Sequence, residues 1–239
     1  MSFWNLSRVP EPEEMDEAEQ VESYSSAAAD RHLDAIDDTF VEHLLRLFVT
    51  RETAPGVLAW GLDVGTGPAQ IPVKVLAKVP GLKIIGLDRS QNMLARARRN
   101  AERAGVAERL ALSVGDGHSL PFPDGMFSIV LCNSMLHHAR RPVQLLREID
   151  RVAAPGAAVF LRDLRRPSRL LLRWHLWRHG RRYRGLMREL FQNSVRAAYT
   201  LDELEQFLQE ARLERVRAFR YRGAHIGFER REQRECRPA

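Results

Sequence analysis

Val57-Leu-Ala-Trp-Gly-Leu-Asp-Val-Gly-Thr-Gly-Pro-Ala69 is the stretch where the hydrophobic period of the chain changes. Its apolar run ends in Asp63 and a glycine loop, as a parallel strand buried on both faces does before it turns into a helix. Upstream, Ala35, Phe40, Val41, Leu44, Leu45 and Phe48 recur at three- and four-residue spacings. That pattern predicts a helix from about Asp16 to Phe48, broken by Thr53-Ala-Pro-Gly56. Downstream, the spacing predicts a helix over Ala69–Val79 and strands over Leu82–Leu87, Leu110–Val114, Phe127–Leu131 and Ala157–Leu161. Between them fall a helix from the Ser90 cap to Ala104, stopped by Gly105, and one over Pro142–Val152. Ser168 to Phe191 reads as a helix broken near Gly180. Thr200-Leu-Asp-Glu203 is a capping box that starts a helix to about Ala211. Val216–Tyr221 and Ala224–Phe228 form a closing hairpin around Gly223.

Strands and helices alternate every 20–30 residues. This is a doubly wound α/β fold with a mostly parallel seven-stranded sheet. The expected organisation is an acidic mobile segment (1–16) and one domain (17–228), then a frayed tail (229–239). Within the domain, a helical lid covers about 17–50, a ligand-binding core 57–163 and a basic helical cap 164–199.

Composition narrows the function classes. The chain has 239 residues, 44% hydrophobic and 28% charged, the balance of an ordinary globular domain. No uncharged apolar run reaches 18 residues, and no basic-then-apolar leader is visible. Two cysteines, Cys132 and Cys236, exclude a disulfide framework. A cytoplasmic location is expected, peripheral at a membrane if the basic segment binds one. The net charge of +6 is polarised: −9 over residues 1–50, +5 over 51–161 and +10 over 162–239. A basic end can meet nucleic acid, a membrane or an acidic ligand, or pack on the acidic end. Arg outnumbers Lys 34 to 3, which also fits coding bias.

The chemistry gathers where open α/β sheets bind ligands, at the carboxyl ends of the first three strands. Gly65 and Gly67 allow a tight turn and close backbone approach. Asp88, ending the second strand, can accept both hydroxyls of a ribose. Asp116, between Gly115 and Gly117, offers an acceptor for an exocyclic amine such as adenine N6. A dinucleotide fingerprint requires G-x-G-x-x-G, and Gln70 stands at its last position. Asp63 is a poor neighbour for pyrophosphate and a good one for an ammonium group. Adenosine with an ammonium and a sulfonium is S-adenosylmethionine.

Residues from about Trp60 to Asp163 resemble a class I S-adenosylmethionine-dependent methyltransferase, with a closer likeness to the subgroup containing the ubiquinone/menaquinone C-methyltransferases. The matching stretches include Leu62-Asp-Val-Gly-Thr-Gly67, Gly86-Leu-Asp-Arg-Ser-Gln-Asn-Met-Leu94, Gly115-Asp-Gly-His-Ser-Leu-Pro-Phe122, Phe127-Ser-Ile-Val130, Ser134-Met-Leu-His-His138 and Glu148-Ile-Asp-Arg-Val152. The family's third loop glycine is Ala69 here, and its Pro-Gly-Gly is Pro155-Gly156-Ala157. The resemblance implies that Asp63, Gly65 and Gly67 shape the methionine pocket. Asp88 would hold the ribose, Asp116 the adenine amine, and Asn133 would stand near the methionyl end. Thr66, Arg89, Gly117 and His118 complete the candidate cofactor set, with His118 lending its backbone amide. Tyr24, in the helix that often covers the cofactor in this family, is a candidate lid contact. The product is S-adenosylhomocysteine, and no metal is expected.

A sulfonium-bound methyl is already activated, so the protein's task is alignment and, where needed, a base. His137 or His138 is the candidate base, with packing as the alternative. Arg162, Asp163 and Tyr199 are candidate acceptor contacts. The acceptor is expected to be a small, lipophilic molecule; alternatives are an RNA methyltransferase and a nucleotide-binding pseudoenzyme acting through partners. Many base-amine methyltransferases carry Asn-Pro-Pro-Tyr where this chain has Asn133-Ser-Met-Leu136. From Arg162 to Arg188 the chain has ten arginines, one acid, Trp174, Trp177 and Tyr183. Leu170, Trp174 and Trp177 share a helical face. That face packs on the core, meets a membrane or lipophilic acceptor, or flanks an RNA surface. Neither the acceptor nor the oligomeric state is legible.

Overall fold

The computed structural model describes residues 6–11, 31–47 and 59–231. Tyr24, the start of the first helix and Cys236 lie outside them. The chain runs α1 (Arg31–Leu47), β1 (Ala59–Val64), α2 (Gln70–Lys78), β2 (Leu82–Asp88), α3 (Gln91–Arg103), β3 (Leu110–Val114), β4 (Phe127–Asn133) and α4 (Pro142–Val152). It continues through β5 (Ala153–Leu164), α5 (Leu172–Gly180), α6 (Gly185–Ala197), α7 (Leu201–Ala211), β6 (Arg217–Tyr221) and β7 (His225–Arg230). The helix signals act as read. Ser90 Oγ accepts from Met93 N at the start of α3, and Thr200 and Glu203 form the reciprocal box that opens α7.

The seven strands pair in the order β3-β2-β1-β4-β5-β7-β6, with β7 antiparallel to both neighbours. The order reverses between β1 and β4, so the loops at their carboxyl ends part and leave a crevice. Both faces of the sheet are covered. In β4 and β5, Val130, Cys132, Val159 and Leu161 join the core under α4 and α7. Ile129, Leu131, Ala158 and Phe160 join the opposite core under α1, α2 and α3. Alternation of two buried faces is why these strands read as continuous apolar runs. Each fully buried Leu, Ile or Phe contributes about 1.5–3 kcal/mol of transfer free energy.

Four expectations change. β5 begins at Ala153 rather than Ala157, and its register with β4 slips near Ile129, where Pro155 and Gly156 (φ +77°) form an irregularity. The tail starts later than residue 229: Glu229 and Arg230 belong to β7, where Glu229 binds His43 and Arg217. Residues 6–11, read as having little to bury, lie along α6. Val9 N donates to Arg196 O, and Arg8 donates to Ala197 O and His137 O while covering the Tyr199 ring. The Leu170–Trp174–Trp177 face does not pack on the core; these side chains are exposed.

Candidate active site

The crevice between β1 and β4 is a cleft lined by the β1–α2 loop, Leu87, Asp88, Arg89, Gly115, Gly117, Asn133 and Met135. Gly65 stands at φ +73°, and a Cβ there would sit 2.5 Å from Met135 Cγ. Glycine is therefore required twice, by conformation and by space. Gly67 (φ +51°) has open space where a Cβ would be. Its amide donates to Asp88 Oδ2 at 2.7 Å, and Ser90 N donates to Asp88 Oδ1 at 3.0 Å. Each Asp88 oxygen thus holds one backbone amide, and a carboxylate has about four acceptor positions. Asp88 lines the cleft wall, where its carboxylate can also meet ligand hydroxyls.

Three carboxylates line this cleft: Asp37, Asp63 and Asp88. Asp63 is 2% exposed. Burial, reinforced by the charges of Asp88 and Asp37, pushes its carboxyl up to about 7. Burial likewise raises Asp37 to about 7, against the pull of Lys74 and Arg162. Among the described residues no cation stands against Asp63. The cleft is an anionic site whose charge a cationic ligand would complete.

Leu33, Asp37, Asn133, Ser134 and His138 also line a second, larger cavity of about 310 Å³. Ile36, Leu164, Met187, Leu190 and Phe191 make much of its wall apolar, and Arg178, Tyr183 and Arg222 add polar groups. Ser134, at the junction, has φ +54° and donates its amide to Arg162 O. This is a strained backbone position where the two spaces meet.

His137 faces the second cavity and is buried. Asp163 holds it twice: Oδ2 accepts from His137 N at 2.9 Å, and Oδ1 lies 2.6 Å from Nδ1. With Nδ1 engaged, Nε2 is the ring nitrogen left for other chemistry. Glu11 Oε2 lies 3.7 Å from it and 3.8 Å from His138 Nδ1. Burial opposes charge on His137, but Asp163 and Glu11 outweigh it and raise the imidazole above its ordinary range. Asp163 is lowered although burial opposes its ionisation, because His137 and two backbone amides favour the carboxylate.

Several sequence candidates converge here: Asp63, Gly65, Thr66, Gly67, Asp88, Arg89, Gly117 and Asn133 line the cleft, and His138 lines both spaces. Others point elsewhere. Asp116 does not line the cleft. Its oxygens hold Arg89 at 3.0 Å and the amide and ring of His118 at 2.8 and 2.9 Å. His118 is buried, and its amide is used in that turn. Arg162 is 1% exposed and does not itself line the cavity; it donates to Thr39 Oγ1 and Ile36 O on α1, bracing two residues of the cavity wall. Burial brings it down to about 10. Asp163, one residue on, takes the opposite sheet face and meets His137, so it positions that ring and does not line the cavity. Tyr199 is a core aromatic whose hydroxyl donates to Ala139 O. Tyr24 lies outside the described residues.

The sequence reading missed Asp37 and Glu11. Asp37 had a signal, an acid on the stripe it shares with Val41 and Leu44. Glu11 had none, because 126 residues separate it from His137. Glu11, His137 and His138 place donor atoms within 4.8 Å of one another, a metal-capable set that spacing along the chain does not show.

Residues 62–161 match the family described as methyltransferase domain. Norajmaline N-methyltransferase of Rauvolfia serpentina is 35% identical over 42% of this chain and 34% of its own length. The ubiquinone/menaquinone biosynthesis C-methyltransferase UbiE of Cereibacter sphaeroides is 25% identical over 70% of each chain. The matched region thus spans about a third of the first of these relatives. A SAM-dependent methyltransferase structure from Aquifex aeolicus superposes with TM-score 0.61 at 18% identity, over 87% of this chain and 96% of that one. By fold the chain is similar to solved structures of S-adenosylmethionine-dependent methyltransferases, and residues 62–161 match a methyltransferase domain. The likeness to the quinone C-methyltransferases is weaker.

Proposed function

We propose that the chain moves a methyl group from S-adenosylmethionine to a small lipophilic acceptor. The observation that carries this is a wall shared by two spaces. An anionic cleft at the switch point and an apolar cavity have Asp37, Asn133, Ser134 and His138 in common. The residues fit the cofactor: Asp88 lines the cleft where a ribose would lie, Gly65 and Gly67 leave the backbone accessible, and Asp63 awaits a cation. When bound, S-adenosylmethionine supplies a methyl already activated by its sulfonium. The chain's own residues hold the donor, wall off water with α1, and align the acceptor at the junction. His137, with Nδ1 fixed by Asp163, accepts an acceptor proton at Nε2 where there is one to lose. The rifamycin and norajmaline methyltransferases among the relatives are named for small-molecule acceptors.

The test is calorimetric titration of the full chain with S-adenosylhomocysteine and, separately, NADH. Micromolar binding of the first alone supports the proposal, and binding of NADH instead overturns it. Transfer of labelled methyl to extracted metabolites then separates an enzyme from a pseudoenzyme.

A pH dependence follows from Asp63. The ammonium of the ligand favours the ionised carboxylate, so binding weakens as pH falls below about 7. The expected dissociation constant for S-adenosylmethionine falls about tenfold from pH 6 to pH 8 and then levels. Asp63→Asn weakens binding and flattens the profile. A flat wild-type profile would remove Asp63 from the ligand's charge.

A further inference from the structure

Four of the large apolar side chains that the described residues expose fall within eight positions: Leu170 (71% exposed), Leu171 (50%), Trp174 (56%) and Trp177 (60%). They project from α5 and the turn before it. The other face of α5 is anchored, with His175 and Gly180 buried and Gly180 closed against Phe191. The apolar side is therefore turned outward by a helix whose inner side is packed, rather than left over by loose folding.

The charge around it has one sign. No acid occurs from Leu164 to Arg188. Arg169, Arg173, Arg178, Arg181, Arg182 and Arg184 are exposed, and none forms an ion pair among the described residues. The Arg181 guanidinium stands 5.8 Å from the Trp177 ring. Tryptophan with an apolar body and polar edge, leucine, and arginines with long stems are what an interfacial helix presents to a bilayer. A nucleic-acid groove accounts for the arginines but not for two leucines beside them. Water-exposed patches of this kind mark interaction sites.

The same segment reaches the second cavity: Arg178, His179 and Tyr183 line it. We propose that α5 docks the protein on an anionic lipid bilayer, so that the cavity beside it takes its acceptor from the membrane. This deepens the methyltransferase reading by naming where the lipophilic acceptor is drawn from. The docking itself does not depend on that reading.

The experiment is sedimentation of the full chain with sucrose-loaded vesicles, of phosphatidylcholine alone and of phosphatidylcholine with phosphatidylglycerol. Binding to the anionic vesicles and little to the neutral ones is expected. Trp174→Ala with Trp177→Ala should weaken binding at least tenfold, because two large apolar groups leave the interface. Arg173→Gln with Arg181→Gln should weaken it about 30-fold, from about a fivefold factor per basic residue. Neither pair should change S-adenosylhomocysteine affinity or melting temperature, since both are exposed and outside the cleft. Brominated lipid should quench tryptophan fluorescence in the wild type and much less in the tryptophan variant. Absence of binding to anionic vesicles overturns the proposal, as does binding that the tryptophan variant keeps in full. It is also overturned by a dimer in light scattering that the tryptophan variant dissolves, or by salt-sensitive RNA binding without vesicle binding. Failure of the cofactor reading appears in the calorimetry instead, so the two outcomes are distinguishable.

Discussion

Asp88→Ala is expected to weaken S-adenosylhomocysteine binding about 30- to 1,000-fold. Two charge-assisted hydrogen bonds to ribose hydroxyls are together worth roughly 2–4 kcal/mol. The structure gives the substitution a second effect. Asp88 also accepts the Gly67 amide at 2.7 Å and the Ser90 amide at 3.0 Å, so alanine releases the glycine loop as well as the ribose. Asp88→Asn separates these contributions. It keeps the volume and one acceptor oxygen, but turns an N–H donor toward a backbone donor, and should fall between wild type and alanine. Calorimetry reads both variants, and the melting temperature without ligand shows whether the fold is intact. A loss below fivefold in the alanine variant would mean that Asp88 serves the loop alone.

What the sequence made legible was whatever is written in consecutive residues. Strand, glycine loop and terminal carboxylate occur together in Leu62–Gly67, and the second strand carries its own carboxylate in Asp88. The parallel order then fixes both ends on one edge of the sheet. The capping box at Thr200 and the Ser90 cap were legible for the same reason. Side-chain direction was less so. Asp116 follows β3 as expected, yet its carboxylate is engaged by Arg89 and His118 and is not among the groups that line the cleft. Arg162 and Asp163 sit together at the end of β5, and the two-residue period sends one to α1 and the other to His137.

What stayed hidden depends on contacts between distant parts of the chain. Glu11 reaches His137 only because Arg8 and Val9 bind the end of α6. The outward turn of Trp174 and Trp177 was hidden differently. A helical stripe has the same spacing whether it faces a core or a solvent, and only the burial of His175 and Gly180 decides which. Polarity within the stripe is the informative part. Asp37 continues the apolar stripe of α1, and an acid placed there has to be given a purpose by what lies beneath it. Beneath it are the junction of the cleft and the acceptor cavity.

Asp163→Asn carries the other large expected effect, a fall in kcat of about 10²- to 10⁴-fold, the range for loss of a positioned base. The carboxylate fixes His137 by accepting at Nδ1, 2.6 Å away, and that leaves the Nε2 lone pair for a proton. An asparagine can donate to Nδ1, which places the ring hydrogen on Nε2 and removes the base. S-adenosylhomocysteine affinity should stay within threefold, because Asp163 does not line the cleft. The pH dependence also changes. His137 is raised above its ordinary value, so wild-type kcat climbs as pH rises through that raised value, and the variant loses this limb. The imidazole titration by NMR reads the same shift without any acceptor. Stability gives an independent check through Asp163→Ala. Leaving His137 buried without its partner costs about 3–5 kcal/mol where the ring is charged. The raised His137 contributes its stabilisation below its unfolded value, near 6.5, and loses it as pH rises through the folded value. The alanine variant's deficit therefore shrinks in alkali. If Asp163→Asn keeps kcat within threefold, and the His137 titration moves as expected, the pair serves packing and transfer proceeds without a base.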